Sequence, residues 1–144
     1  MDPLSIIAGC VAVATSGRTV IEGLAKLKSL RHVPDVLFAV INEISDLSLV
    51  VQEVKSIFQQ CRGTTNILHT SISTVNQILD RAQVILLELD QVINYRLLLP
   101  ANGRGEIRLN RLNWVREERH VQQLQQRLRS IRLDIVAGLS ALNL

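Results

Sequence analysis

The amino-acid sequence predicts an all-α fold: a four- to five-helix up-and-down bundle with an apolar N-terminal helix at its centre. Apolar residues recur at alternating spacings of three and four along most of the 144 residues, which is the period of a helix that buries one face. Hydrophobic residues make up 47% of the chain, enough to form a core, whereas 7 glycines and 3 prolines leave room for few turns. The length suits a single domain, residues 1–144.

The first helix is the most distinctive element, because residues 3–17 carry no charge. We predict a helix over residues 4–30. Its main apolar stripe consists of Ile6, Cys10, Val13, Gly17, Val20, Leu24 and Leu27. Ile7, Val11 and Ala14 add a second apolar face, so we expect the front of the helix to be buried on every side. The uncharged segment is shorter than the ~20 residues of a spanning helix, and it lacks the basic start of a secretory signal.

Two further helices follow with equally regular apolar stripes. The second should cover residues 35–59, directly after Pro34, and the third should cover residues 68–93. Glycine and polar residues at 63–66 predict the loop between them, and the run at 100–105 predicts the next loop.

The last helix should begin between residues 114 and 117. Its apolar stripe does not extend cleanly upstream, so residues 106–113 are expected to form a loop or a separate short turn. We expect Trp114, just before this helix, to pack over the helix start in the manner of a hydrophobic staple.

We predict no catalytic, cofactor or metal site, and therefore no enzyme. The phosphate-binding loop, the nucleophile elbow and the zinc-protease pattern are all absent from the sequence. His32, His69 and His120 are far apart and lack metal-ligand spacing. Glu117 and Glu118 are adjacent, so they point to different sides of a helix, where acidic residues near the N-terminus are favourable.

Charge is unevenly distributed along the chain, with +2 over residues 1–31, −3 over 32–100 and +4 over 101–144, which gives the net +3. The basic ends and the acidic middle either complement one another within the bundle or meet an acidic surface. Trp114 is the only aromatic residue among the C-terminal arginines, so we do not expect nucleic-acid binding. Cys10 and Cys61 are isolated, which favours a reduced, cytoplasmic protein.

Two stretches resemble a protein family. The first is the start, Met-Asp-Pro-Leu-Ser-Ile, followed by small and aliphatic residues. The second is the closing amphipathic helix, with Trp114, Glu118, Val121, Leu124, Leu128, Arg129, Ile131 and Leu133. Over essentially its whole length the chain resembles the fungal HeLo-like domains at the N-terminus of NLR-type signalling proteins, including the N-terminal domain of azaphilone-pigment-cluster proteins.

The resemblance implies a bundle related to the HeLo domain of fungal incompatibility proteins and to the four-helix executioner bundle of mixed-lineage-kinase-like pseudokinases. Such domains are effectors of programmed cell death that oligomerise on activation and direct their N-terminal helix into the plasma membrane. We therefore expect a cytoplasmic protein that moves to the plasma membrane, associates with itself and binds anionic lipids or other HeLo-like or NLR signalling domains. No receptor core follows residue 144, so we expect either one domain of a larger receptor or a protein that acts alone.

Transferred to this sequence, the candidate membrane segment covers residues 4–14 and extends at most to residue 20. The residues that would enter the membrane are Leu4, Ile6, Ile7, Val11 and Val13. The basic residues that would stay near the headgroups are Arg18, Lys26, Lys28 and Arg31. A basic residue near an anionic leaflet contributes ~1 kcal/mol.

A soluble adaptor that binds partner helices or itself, without a membrane step, is the alternative function. On this alternative, the second apolar positions of the second helix, Ile41, Val50 and Ile57, would contact a partner helix as well as the core.

Overall fold

The computed structural model describes residues 3–28, 33–60, 69–100 and 107–142. Four long α-helices contain most of them: α1 (Pro3–Lys28), α2 (Asp35–Gln60), α3 (His69–Asp90) and α4 (Arg111–Leu142). The predicted all-α bundle with an apolar N-terminal helix is confirmed, and the predicted bounds of the first two helices hold to within two residues. The predicted loop at residues 63–66 lies outside the described residues, as do His32 and Arg31.

The helices surround the core in the order α1, α2, α4, α3. α1 packs on α2 and α3, and α4 packs on the same two helices, so α1 and α4 are diagonally opposite. α1 and α3 run parallel, because Ser5 contacts Asn76 near their starts and Gly23 lies against Asn94 further along. Salt bridges between α3 and α4 show that this pair is antiparallel. Successive helices therefore alternate in direction.

The core is almost entirely aliphatic, as the low aromatic content requires. α1 contributes the buried side chains of Ile6, Cys10, Val13, Val20, Leu24 and Leu27, which belong to the predicted stripe. The expectation that the front of α1 is buried on every side is wrong, because Leu4 is 54% exposed and Val11 is 46% exposed. A helix with two neighbours in a four-helix arrangement keeps one face in solvent, whatever the composition of that face.

The third helix changes its geometry near its end. The α-helical part stops at Asp90 and a π-helix continues from Gln91 to Leu97, with the backbone N–H of Leu98 donating to the carbonyl oxygen of Ile93. Two short strands follow, β1 (Leu98–Pro100) and β2 (Ile107–Leu109), paired antiparallel with Leu98 opposite Leu109. The sequence predicted a loop at 106–113, so β2 and the early start of α4 are corrections.

α4 begins at Arg111, three residues before the predicted range, because Asn110 caps it. The Asn110 side-chain oxygen accepts a hydrogen bond from the backbone N–H of Asn113 at 3.2 Å, which satisfies one of the free donors of the first turn. Trp114 therefore lies within the helix rather than before it. Its side chain is 8% exposed and belongs to the core, but the predicted staple-like position before the helix is wrong.

Candidate membrane-binding helix and its contacts

The five residues predicted to enter a membrane do not share one face of α1. Ile6 and Val13 are buried in the core at 0% and 2% exposure, Leu4 and Val11 face solvent, and Ile7 is half-buried at the edge of the core. Of these five residues, only Leu4 and Val11 are therefore exposed in the folded bundle. Contact through Ile6 and Val13 would require α1 to leave α2 and α3.

The predicted basic residues lie on the second half of the helix. Arg18 and Lys26 are exposed. Lys28 is the last residue of α1, but its side chain lies outside the described part of the chain, as does Arg31. The solvent-facing side of α1 thus changes from apolar to charged at Arg18, in the order expected from the sequence.

α1 is long and apolar enough to cross a membrane by length and composition. The stretch Leu4–Leu27 has 24 residues and a mean hydropathy of 1.6, and a helix of that length measures ~36 Å, compared with ~30 Å for the hydrocarbon layer. This test is weak by itself, because the core helix of a soluble protein also passes it.

The glycines of α1 permit close helix packing. A Cβ at Gly9 would lie 3.2 Å from Cδ1 of Leu79, and one at Gly23 would lie 2.5 Å from Oδ1 of Asn94. A Cβ at Gly17 would lie 3.1 Å from Cγ2 of Ile44 on α2. Each of these glycines therefore lies at a contact that a larger residue would disturb.

The contact between α1 and α3 contains polar side chains beside its aliphatic ones. The amide of Asn76 donates to the hydroxyl of Ser5 at 3.0 Å, and Asn94, which covers Gly23, donates to Asp90. Gln83 lies seven residues after Asn76 and so on the same side of α3. Its Oε1 is buried without a hydrogen-bond partner among the described residues, an arrangement that costs ~1–3 kcal/mol. The α1–α3 contact is therefore less favourable than an all-aliphatic one.

A buried ion pair joins α2 to α4. Nε of Arg132 donates to Oε1 of Glu43 at 2.8 Å, and the side chains are 22% and 8% exposed, respectively. The hydrogen bond that Arg132 donates to Glu43 raises the pKa of Arg132 above its usual value. Sequence reasoning missed this pair, although Glu43 interrupts the apolar side of α2 between Val40 and Ile44.

A second ionic cluster joins the end of α3 and the π-helix to α4. Glu117 accepts a hydrogen bond from Arg96 at 2.8 Å and contacts His120 at 3.3 Å, while His120 also lies 3.5 Å from Glu88. Burial opposes ionisation of Glu117, but the hydrogen bonds from Arg96 and His120 outweigh it and lower its pKa. Glu117 and His120 thus have structural partners, and Glu118 is exposed.

The positions proposed for an adaptor function are only partly accessible. Ile41, Val50 and Ile57 are half-buried and pack against the core. The most exposed aliphatic residue of α2 is instead Leu49, at 66%.

An open cleft of about 430 Å³ lies between α3 and α4, lined by Asp80, Arg81, Val84, Ile85, Arg127, Ser130 and Ile131.

Nothing in the described part of the chain resembles a metal centre, since no group of three His, Cys, Asp or Glu residues there is arranged to hold an ion. Cys10 is a free, buried thiol. Burial raises the pKa of this thiol to about 11, although the charge of Lys55 acts in the opposite direction.

No protein-family model, curated protein or solved structure matches the chain.

Proposed function

We propose that this protein is a regulated signalling effector that associates with itself and targets anionic membranes through α1. The observation that carries the proposal is the position and composition of α1, an apolar helix of spanning length near the N-terminus that packs mainly on α2 and α3. The finer assignment, to a HeLo-like cell-death effector that moves from the cytoplasm to the plasma membrane, rests on the sequence resemblance.

Two features of the bundle support release of α1. α4 packs on both α2 and α3, so the contacts that join these three helices to one another do not depend on α1. The contact of α1 with α3 includes the Ser5–Asn76 hydrogen bond, whose groups water can satisfy after separation. Gln83, on the same side of α3 as Asn76, has a buried Oε1 without a partner among the described residues. Release would bring Ile6, Cys10 and Val13 to the lipid together with Leu4 and Val11.

The membrane step is tested with a substitution that does not disturb the core. Val11→Asp places a carboxylate on the exposed side of α1, where folding tolerates it. A charge in the hydrocarbon layer costs ~3 kcal/mol, so binding to anionic vesicles should fall about a hundredfold. Val136→Asp is the matched control, because Val136 is 40% exposed on α4.

A second experiment tests whether α1 must separate from α3. Ser5→Cys and Asn76→Cys, in a Cys61→Ser background, place two thiols where the native side chains are hydrogen-bonded. A short bifunctional cross-linker should then fix α1 on α3 and abolish leakage of vesicle contents, while the uncoupled variant stays active. Leakage by the cross-linked protein would contradict the release of α1, whereas no vesicle binding by the wild-type oligomer would contradict the membrane function.

A soluble adaptor is the second candidate. It is favoured by exposed aliphatic residues outside α1, namely Leu49 on α2 and Leu112 and Val115 on α4, each at least 65% exposed. Side chains of this kind are typical of surfaces that contact another protein. An adaptor would show self-association or partner binding that Val11→Asp leaves unchanged.

A further inference from the structure

We infer that a second copy of this chain binds through contact between an acidic stripe on α2 and a basic stripe on α4. The inference rests on the proposed function only in that self-association is part of it, and its test requires no membrane.

The acidic stripe consists of Asp46, Leu49 and Glu53. Their spacings of three and four residues place them on one side of α2, and all three are exposed. Leu49 is 66% exposed, so an aliphatic side chain lies in water between two carboxylates. Within one copy, the negative charge of Asp46 also helps to raise the pKa of Arg132.

The basic stripe consists of Arg111, Val115 and Arg119, at spacings of four residues on the first turns of α4. Val115 is 74% exposed, and Leu112 beside it is 65% exposed. Neither arginine of the stripe has a hydrogen bond or ion pair to any described residue. Glu118 is an acidic neighbour, and Arg116 adds a further exposed positive charge.

The two stripes match in pattern and in length. Each has an aliphatic residue between two like charges, and the signs are opposite. The charges lie seven residues apart on α2 and eight residues apart on α4, or ~10.5 Å and ~12 Å along the helices. Packing Leu49 of one copy against Val115 of another therefore brings each carboxylate within reach of an arginine. The stripes lie on different helices and remain exposed in the single copy, so both are available to a neighbour.

Opposite charges at such a surface determine which partner and which register are accepted. An acidic stripe alone would fit any basic protein, and a basic stripe alone would fit an anionic lipid surface. The presence of both on one chain, with matched spacing around an exposed aliphatic residue, favours a second copy as the partner.

Charge reversal tests the proposal directly. Variant one carries Asp46→Lys and Glu53→Lys, and variant two carries Arg111→Glu and Arg119→Glu. Each should self-associate at least about tenfold more weakly than the wild type in sedimentation velocity, because like charges then face each other. An equimolar mixture of the two should regain association, since lysines on α2 meet glutamates on α4 and the native stripes also meet.

Glu22→Lys on α1 and Arg129→Glu on α4 are the matched controls, because both residues are exposed and outside the stripes. They should associate as the wild type does, and circular dichroism should give native helix content for every variant. A wild type that stays monomeric at high concentration, reversed variants that associate normally, or a mixture that does not recover would each overturn the proposal. Reversal on α4 that lowers binding to anionic vesicles but not self-association would assign the basic stripe to a membrane instead.

Discussion

The Glu43–Arg132 pair offers a direct test of what fixes α2 against α4. Arg132→Met keeps much of the length and the apolar contact of the side chain but leaves the carboxylate of Glu43, 8% exposed, without its partner. Removing one member of a buried pair costs ~3–5 kcal/mol. Arg132 is 22% exposed, so some water already reaches the pair, and we expect ~3 kcal/mol, the lower end of that range.

Two further variants distinguish the attraction between the two charges from the free-energy cost of burying them. Glu43→Gln should cost only ~1.5 kcal/mol, because the amide oxygen still accepts from Arg132 and the guanidinium retains some contact with water. Replacing both residues, as in Glu43→Leu with Arg132→Met, should lie within ~1 kcal/mol of the wild type, since neither charge is then left buried.

The assay is urea unfolding followed by far-UV circular dichroism, with Trp114 fluorescence as a second probe of the transition. For a chain of this size, a loss of ~3 kcal/mol corresponds to a fall in Tm of ~6–12 °C. A cost below ~1 kcal/mol for Arg132→Met would refute the reasoning, as would a double variant whose loss equals the sum of the losses measured for Glu43→Leu and Arg132→Met alone.

Four further predictions concern Trp114, Cys10, Glu117 and the binding of small ligands. Trp114→Ala should cost ~3 kcal/mol or more because the ring is buried, and an unchanged Tm would place the ring outside the core. In a Cys61→Ser variant, maleimide labelling of Cys10 should be slow at neutral pH, because its pKa is about 11, and urea should accelerate it; rapid labelling of the native protein would contradict its burial. The pKa of Glu117 is lowered in the folded state from its ordinary value of 4.5. Ionised Glu117 therefore stabilises the fold at a pH above 4.5, and this stabilisation is lost as the pH falls through the lowered pKa of the folded state. Glu117→Gln should therefore be less stable than the wild type at neutral pH, and the difference should shrink below about pH 4.5; a constant difference would exclude ionisation as its cause. Zinc or nucleotide should leave the Tm unchanged, and a dose-dependent rise would reveal a ligand site.

Much of the architecture follows from local pattern. Apolar residues at alternating spacings of three and four positions predicted the helices, because a helix that buries one face requires that period. Pro34 and Asp35 marked the start of α2 correctly, since proline interrupts a helix and an acidic residue suits its first turn. The start of α4 was missed because the cap comes from Asn110, which lies outside the apolar stripe, and β1 and β2 are too short for a periodic signal.

The candidate site shows the same division between sequence and structure. Composition alone identified α1 as apolar and placed Arg18 where the charged part begins, because both are properties of one segment. The apolar stripe separated Ile6 and Val13 from Val11 on the helix, but whether the second apolar face is covered depends on the neighbours of α1, so the exposure of Val11 could not be predicted. The pairing of Glu43 with Arg132 and the contact of Gly23 with Asn94 join residues 89 and 71 positions apart. Only the packing of the helices brings such residues together, and no local pattern encodes that arrangement.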